Sequence, residues 1–138
     1  MRAFTRPGDA VLIQQPVYHP FKNVVTNNHR VPVSNDLRLE NGRYTMDLAD
    51  MEEKLRQRQI KLFLLCSPHN PAGRSWRADE LLEMGKLCQK YGVIVVSDEI
   101  HCDFTWGERR HVTLLKAAPF LEEQCVICTS PSKTFNLA

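Results

Sequence analysis

Long apolar stretches, a large excess of charge and a disulfide framework are all missing from this 138-residue chain. No apolar run approaches the ~20 residues that a membrane-spanning helix needs, and the N-terminus carries no apolar core of a secretion signal. The formal net charge is only +2, and the lysines and arginines are scattered rather than clustered. The sequence therefore predicts a cytoplasmic protein whose partners are neither membranes nor nucleic acids.

The five cysteines are odd in number, and their spacings fit no disulfide framework. Cys66, Cys125 and Cys128 lie in predicted strands, and Cys88 lies on a predicted helix. A buried free cysteine behaves as a small hydrophobic residue, and a reducing compartment keeps it free. We expect free thiols, in agreement with the cytoplasmic prediction.

Hydrophobic periodicity divides the chain into alternating strands and helices without repeats or linkers. Its length predicts one domain with a core. The pattern predicts strands over 10–14, 30–34, 60–66, 93–97 and 125–129, helices over 18–28, 47–58, 77–91, 112–117 and 119–123, and a hairpin over 37–45. The helix between strands 60–66 and 93–97 forms a βαβ crossover, which is right-handed in nearly all proteins. The fold class is α/β.

Local signals define several of these elements. Asn41-Gly42 supplies the positive φ that a tight hairpin turn needs, Asp47 is a good N-cap, and Gly92 is a good helix terminator. The helix over 18–28 is expected to turn Phe21, Val24 and Val25 inward.

Three short polar segments each follow directly on a continuous apolar run, at 60–66, 93–96 and 126–128. Runs this short and this apolar are typical of parallel strands that are buried on both faces. Ligands of open α/β sheets bind outside the carboxyl ends of the strands. The amide of Asn70, the carboxylate of Asp98 and the amine of Lys133 are therefore predicted to converge on one crevice.

Each of these three residues has a functional and a structural interpretation. Lys133, if partly desolvated after its strand, could form a Schiff base with an aldehyde, or it could be a surface lysine. Asp98 could pair with a protonated pyridine nitrogen or cap the following helix. Asn70 could donate a hydrogen bond to a phenolate oxygen or simply occupy a turn. The convergence of all three favours the functional interpretation.

Two aromatic side chains and one carboxylate complete the pattern. Tyr18 could lie flat on an aromatic ring or pack in the core. His101 could contact the same oxygen as Asn70 or be structural. Glu99 is expected to point away from Asp98, because adjacent strand residues face opposite sides of the sheet.

These segments resemble those of a known family. Ser-Pro-His-Asn-Pro-Ala-Gly-Arg at 67–74, Val-Ser-Asp-Glu-Ile-His at 96–101 and Thr-Ser-Pro-Ser-Lys-Thr-Phe-Asn at 129–136 resemble the class I/II aminotransferase superfamily, whose members are fold-type I enzymes dependent on pyridoxal 5'-phosphate (PLP). The Trp-Gly after the second segment and Gln-Pro-Val-Tyr-His-Pro-Phe at 15–21 resemble its cystathionine β-lyase-type C–S lyase branch. The resemblance covers nearly the whole chain and implies a three-layer α/β/α domain with a mostly parallel sheet.

The resemblance also implies roles for individual residues. Lys133 matches the catalytic lysine that holds PLP as a Schiff base and moves the substrate's Cα proton. Asp98 matches the partner of the pyridinium nitrogen, and Asn70 matches the donor to the ring's O3′ oxygen.

Three further matches concern the rest of the cofactor. Tyr18 resembles the aromatic residue that stacks on the ring, and Ser130 lies where the family contacts the phosphate. His101 stands where most transaminases carry a tyrosine on O3′, a departure shared with the C–S lyase branch.

The implied function is PLP-dependent cleavage of the Cβ–S bond of a sulfur amino acid, which yields a thiol, a keto acid and ammonia. An aminotransferase, or an inactive remnant of either enzyme, is the alternative. The substrate is a small-molecule amino acid, and full-length members of the family usually form homodimers.

The resemblance is confined to the central part of the family's large domain. Residues 1–138 are expected to be a partial PLP-binding domain, without the phosphate-loop segment and without the C-terminal small domain. We expect the isolated chain to be inactive and to bind the cofactor weakly, because charged contacts to the phosphate are missing.

Two other classes of protein deserve comparison. An ATPase is suggested by the strand that ends in Asp-Glu, but the Gly-x-x-x-x-Gly-Lys-Ser/Thr loop is lacking. A zinc site could use Cys66-x-x-His69 and Cys125-x-x-Cys128. Because residues three apart on a strand face opposite sides, the second pair cannot chelate one ion, and we expect no metal.

Overall fold

The structure, a computed structural model, describes residues 1–108 and 110–137. The strands are β1 (Ala10–Ile13), β2 (Val31–Ser34), β3 (Arg38–Glu40), β4 (Arg43–Thr45), β5 (Leu62–Cys66), β6 (Ile94–Asp98) and β7 (Cys125–Cys128). The helices are α1 (Pro20–Thr26), α2 (Leu48–Arg58), α3 (Ala78–Lys90), α4 (Leu114–Ala117) and α5 (Pro131–Thr134), with a 3₁₀ helix over Pro119–Gln124. Within the described residues, no helix has the length and apolar character needed to cross a membrane.

Five of the strands form one parallel sheet in the order β2–β1–β5–β6–β7. Asp98, the last residue of β6, pairs in register with Cys66 on one side and with Cys128 on the other. The carboxyl ends of β5, β6 and β7 therefore lie side by side, as the sequence predicts. The strands β3 and β4 form a separate antiparallel hairpin, with positive φ at Asn41 and Gly42.

Helices cover both faces of the sheet, so the predicted three-layer α/β/α arrangement is confirmed. One apolar cluster joins alternate strand residues such as Leu12 and Phe63 to α2, α3 and α4. The other cluster joins Val11, Leu62 and their face to α1. All residues of β5 are buried, which explains the unbroken apolar run in its sequence.

The expectation that the last two strands are buried on both faces is wrong. In β6, Val95 and Ser97 are buried, whereas Ile94 and Val96 on the opposite face are only half-buried. In β7 the first three residues are half-buried and Cys128 is exposed. Among the described residues, the helical members of the cluster that contains Ile94 and Val96 come from α1 alone. The helix α1 follows β1, which lies toward the other end of the strand order from β7.

Local chemistry accounts for the helix ends. The Asp47 side chain accepts a hydrogen bond from the Asp50 amide and begins α2. In α3, the Glu80 carboxylate accepts a hydrogen bond from the Arg77 amide, and Gly92 follows the helix with a φ of 63°. The helix α1 is shorter than predicted, and Val24 on it is exposed rather than turned inward.

Gly85 lies where α3 packs closely against the segment after α4, and Gly85→Ala is expected to destabilise the protein by about 1–2 kcal/mol. A Cβ there would lie 2.9 Å from the Ala118 Cβ and 3.2 Å from the Leu121 Cδ1. This crowding outweighs the ~1 kcal/mol by which alanine favours a helix. Urea unfolding followed by circular dichroism measures the difference. The exposed Glu83→Ala on the same helix should stay within about 0.5 kcal/mol of wild type, and a Gly85→Ala protein as stable as wild type would contradict the close approach.

Candidate active site

The site is built at the carboxyl ends of β5, β6 and β7. The Ser67 amide donates to the Asp98 carbonyl (3.0 Å), and the Glu99 amide donates to the Cys128 carbonyl (2.8 Å). These two bonds continue the sheet one residue past the ends of β5 and β6. The polar segments that follow the three strands consequently start from one rigid edge.

Asn70 lies in a tight turn after β5. The His69 amide donates to the Arg74 carbonyl (2.8 Å), and the Gly73 amide donates to the His69 carbonyl (2.9 Å). The backbone N–H of Asn70 donates a hydrogen bond to the Cys66 sulfur (3.4 Å), and burial raises the pKa of that thiol to about 11. Asn70 is half-buried, and its backbone is fixed by the turn on which it lies.

The same turn is tied to the rest of the domain. Arg74 forms an ion pair with Glu80 at the start of α3, donates to the Tyr44 carbonyl, and lies over the Trp76 ring, 4.4 Å from its centre. Trp76 is 2% exposed, and its indole Nε1 donates to the Cys66 carbonyl (2.9 Å). These contacts hold the Asn70 turn against β5 and α3.

Tyr18 reaches the site from the loop after β1. Its backbone amide donates to the Asn70 carbonyl (2.8 Å), so the two predicted site residues lie next to each other. The ring is 47% exposed, which excludes the alternative of core packing. A flat ligand could stack on it.

The structure places Asp98 and Glu99 on opposite sides, as strand alternation predicts. Asp98 is half-buried, and one of its carboxylate oxygens accepts a hydrogen bond from the Ile100 amide (3.2 Å). It lines a cavity of about 220 Å³ with Val96, Cys128 and others. Asp98 thus has the turn-capping contact of its structural interpretation and still faces a cavity.

Glu99, in contrast, is a buried carboxylate, 1% exposed. It accepts hydrogen bonds from the Ser97 hydroxyl (3.0 Å), the Leu114 amide (3.0 Å) and the His111 Nε2 (2.7 Å). Burial opposes ionisation, but these donors outweigh it and hold the pKa of Glu99 below its usual value. Glu99 therefore ties the start of the segment that carries His101 to His111 and Leu114 further along it. Sequence reasoning did not find this role of Glu99.

Asn70 and His101 line a larger cavity of about 540 Å³. Phe104 and Trp106, which the sequence did not single out as site residues, line the same cavity, and Trp106 is 82% exposed. The cavity combines an amide and an imidazole with aromatic walls. Those groups can bind a planar ligand that carries an acceptor oxygen.

Lys133 and Ser130 follow β7, the last strand in the order of the sheet. Ser130 caps α5, where its hydroxyl oxygen accepts a hydrogen bond from the Ser132 amide (3.1 Å). Lys133 follows on that helix and is exposed, so the expectation that it is partly desolvated is wrong for this structure. Its strand is next to β6 in the same sheet, as the convergence argument requires.

The zinc alternative fails on geometry. Cys125 packs against the cluster of α2, α3 and α4, whereas Cys128 lines the cavity on the other face of the sheet. In the part of the chain that the structure describes, no group of three or more histidine, cysteine, aspartate or glutamate side chains could hold a metal ion.

Comparison with known proteins identifies the family. The family model "Aminotransferase class I and II" matches residues 1–138. The chain belongs to this family. The match leaves the ATPase alternative without support and confirms the predicted relationship.

The relatives within this family include lyases. Cystathionine beta-lyase PatB of Bacillus subtilis (strain 168) is 45% identical over 138 residues, which are 100% of this chain and 36% of PatB. Protein MalY of Escherichia coli (strain K12) is 36% identical over 99% of this chain and 34% of MalY. The chain spans about a third of the length of these relatives.

Solved structures share the fold. Cystalysin from Treponema denticola, whose structure contains a pyridoxal 5'-phosphate cofactor, matches with a TM-score of 0.95 and 38% identity, over 99% of this chain and 34% of cystalysin. A PLP-bound putative aminotransferase from Clostridium difficile 630 matches with a TM-score of 0.92 and 42% identity, over 97% and 34%. The predicted fold is confirmed as that of this aminotransferase and lyase family.

Proposed function

We propose that this chain is the central part of the large domain of a PLP-dependent C–S β-lyase. The observation that carries the proposal is the pairing of Asp98 with Cys66 and Cys128, because it aligns the segments of Asn70, Asp98 and Lys133 along one edge. The 45% identity to a cystathionine beta-lyase supports the lyase over other members of the family. The proposed substrate is an amino acid with sulfur on Cβ.

The residues at this edge carry the groups that the ring of the cofactor would need, with Asn70 and His101 on the larger cavity and Asp98 on the smaller one. The Asn70 amide and the His101 imidazole share a cavity, where both could donate to a phenolate oxygen. The exposed Tyr18 ring is free to stack, and the half-buried Asp98 carboxylate can pair with a protonated ring nitrogen. Ser130 would contribute its hydroxyl to the phosphate.

The protein residues supply the proton chemistry. When bound, the cofactor supplies an electron-withdrawing ring that stabilises negative charge at the substrate's Cα. Asp98 would keep the ring nitrogen protonated, and the Lys133 amine would take up the Cα proton. The electron pair left at Cα would then expel the sulfur from Cβ as a thiolate, and hydrolysis of the remaining fragment would give a keto acid and ammonia.

Transamination is the second candidate, since relatives of both kinds match the chain. A Geobacillus stearothermophilus aspartate aminotransferase is 32% identical over 94% of this chain. We further propose that residues 1–138 alone lack groups needed for the phosphate and for the substrate carboxylate. The isolated chain should then bind PLP weakly and turn over no substrate, and complete members would act as cytoplasmic homodimers.

Lysine mapping tests the cofactor assignment directly in the 138-residue chain. PLP is added, the Schiff base is reduced with borohydride, and the modified peptide is located by mass spectrometry. We expect the label on Lys133, and its loss in Lys133→Ala. The exposed Lys61 and Lys116 are matched controls, because exposure alone would label all three lysines. A label spread over them, or absent from Lys133, would contradict the assignment.

A chimera separates elimination from transamination. Residues 1–138 replace the matching third of PatB, and the release of thiol, keto acid and ammonia from cystathionine is compared with amino transfer to a keto acid. We expect elimination to dominate and Lys133→Ala to abolish it. Dominant transfer, with cystathionine left intact, would favour the second candidate.

A further inference from the structure

The loop after β1 brings Tyr18 to the site, and the loop after β5 brings Asn70. Among the described residues, two hydrogen bonds join these two loops. One is the bond from the Tyr18 amide to the Asn70 carbonyl (2.8 Å). The other joins the His69 Nε2 to the Pro16 carbonyl (2.8 Å). Each bond pairs a residue of the β1 loop with a residue of the β5 loop, so the relative position of the two loops depends on this junction.

The His69 ring is held in a fixed orientation. It is 2% exposed and meets the Trp76 ring edge-on, with the ring centres 5.5 Å apart and an interplanar angle of 78°. Because a carbonyl only accepts hydrogen bonds, Nε2 must carry the ring proton. Burial lowers the pKa of His69, and the nearby Arg74 charge acts in the same direction.

We propose that His69 is a positioning residue that locks the Tyr18 loop onto the Asn70 turn, so that the Tyr18 ring and the Asn70 amide bind one planar ligand together. The inference rests on the proposed function for the identity of that ligand, which is PLP. His69 acts through its neighbours, since its Nε2 proton is already donated to Pro16.

Two variants of His69, one that keeps a hydrogen-bond donor and one that lacks it, test the junction between the two loops. Glutamine can place an N–H where the histidine Nε2 lies, whereas leucine cannot donate. In the ligand-free chain, amide hydrogen exchange at Tyr18 should be about tenfold faster in His69→Leu and near wild type in His69→Gln, as the loss of one hydrogen bond implies. Exchange in β5 and β6 peptides is the control for global unfolding.

The same variants are then titrated with PLP by absorbance. We expect His69→Leu to bind about tenfold more weakly than wild type and His69→Gln to recover most of the loss. Unchanged exchange at Tyr18 in His69→Leu would overturn the proposal. So would faster exchange combined with wild-type affinity. If wild type itself shows no measurable PLP binding, as the weak binding proposed for residues 1–138 allows, the exchange result alone decides whether the junction exists.

A measurement on the unaltered protein covers the case in which the variants do not fold. Nitrogen-15 NMR should show the His69 ring as the neutral Nε2–H tautomer, with a slowly exchanging ring proton, between pH 6 and 8. The Nδ1–H tautomer, or a ring that becomes charged in this range, would contradict the proposal.

Discussion

Replacing Glu99 by alanine is expected to lower the free energy of unfolding by about 3–5 kcal/mol, because several buried donors would lose their acceptor at about 1–3 kcal/mol each. Three donors would lose their acceptor: the Ser97 hydroxyl, the Leu114 amide and the His111 ring. Each would stay buried without a hydrogen bond, which costs more than the bond itself contributes. Urea unfolding at pH 7, followed by circular dichroism, measures the loss.

The pH dependence of Glu99→Gln provides the matched control. The pKa of Glu99 lies below its usual 4.5 in the folded protein, so the charged carboxylate stabilises the fold fully above pH 4.5. That contribution disappears as the pH falls through the lowered pKa. The stability difference between wild type and Glu99→Gln should therefore shrink as the pH falls below 4.5. A constant difference down to pH 3 would show that the Glu99 charge does not stabilise the fold.

The sequence predicts most of this fold because apolar runs and helix terminators are local signals. The strand at 60–66 and the helix at 77–91 are recovered within two residues of their observed ends. Which helices cover the second face of a strand is not determined by the strand's own sequence. The apolar side chains of β6 and β7 indicate strands correctly, but they do not show which helices lie over them.

The candidate site likewise contains residues that the local sequence places correctly and contacts that it does not predict. Strand ends and alternation place Asn70 and Asp98 at one edge and turn Glu99 to the other side. The partner of Glu99 is His111, twelve residues further along an irregular segment, and no periodicity links the two. The exposure of Lys133 likewise depends on what packs around α5, which its own sequence does not reveal.

One principle connects these contacts to the proposed chemistry. The groups that would bind a ligand, Asn70 and His101, are half-buried, and each lies on a segment held by polar contacts to other parts of the domain. Arg74 holds the Asn70 turn through Glu80, and Glu99 holds the segment that starts at His101. Such support fixes binding groups before a ligand arrives, which reduces the cost of ordering them on binding.

Replacing Trp76 by alanine is expected to destabilise the protein by about 3–5 kcal/mol, the usual cost of removing a buried tryptophan. The loss would include the contacts of its ring with Arg74 and His69 and the hydrogen bond from its indole to the Cys66 carbonyl. Trp76→Phe keeps a ring but removes the donor, and should cost about 1–3 kcal/mol because the buried carbonyl is left unpaired. Urea unfolding measures both variants.

Trp106→Ala is the matched control, because Trp106 is 82% exposed whereas Trp76 is 2% exposed. It should change the free energy of unfolding by about 0.5 kcal/mol or less. If the two alanine variants lose equal stability, Trp76 does not anchor the Asn70 turn in the way its contacts imply. If Trp76→Ala alone is destabilised and also loses PLP binding in the titration above, then the packing beneath the turn supports the site as well as the fold.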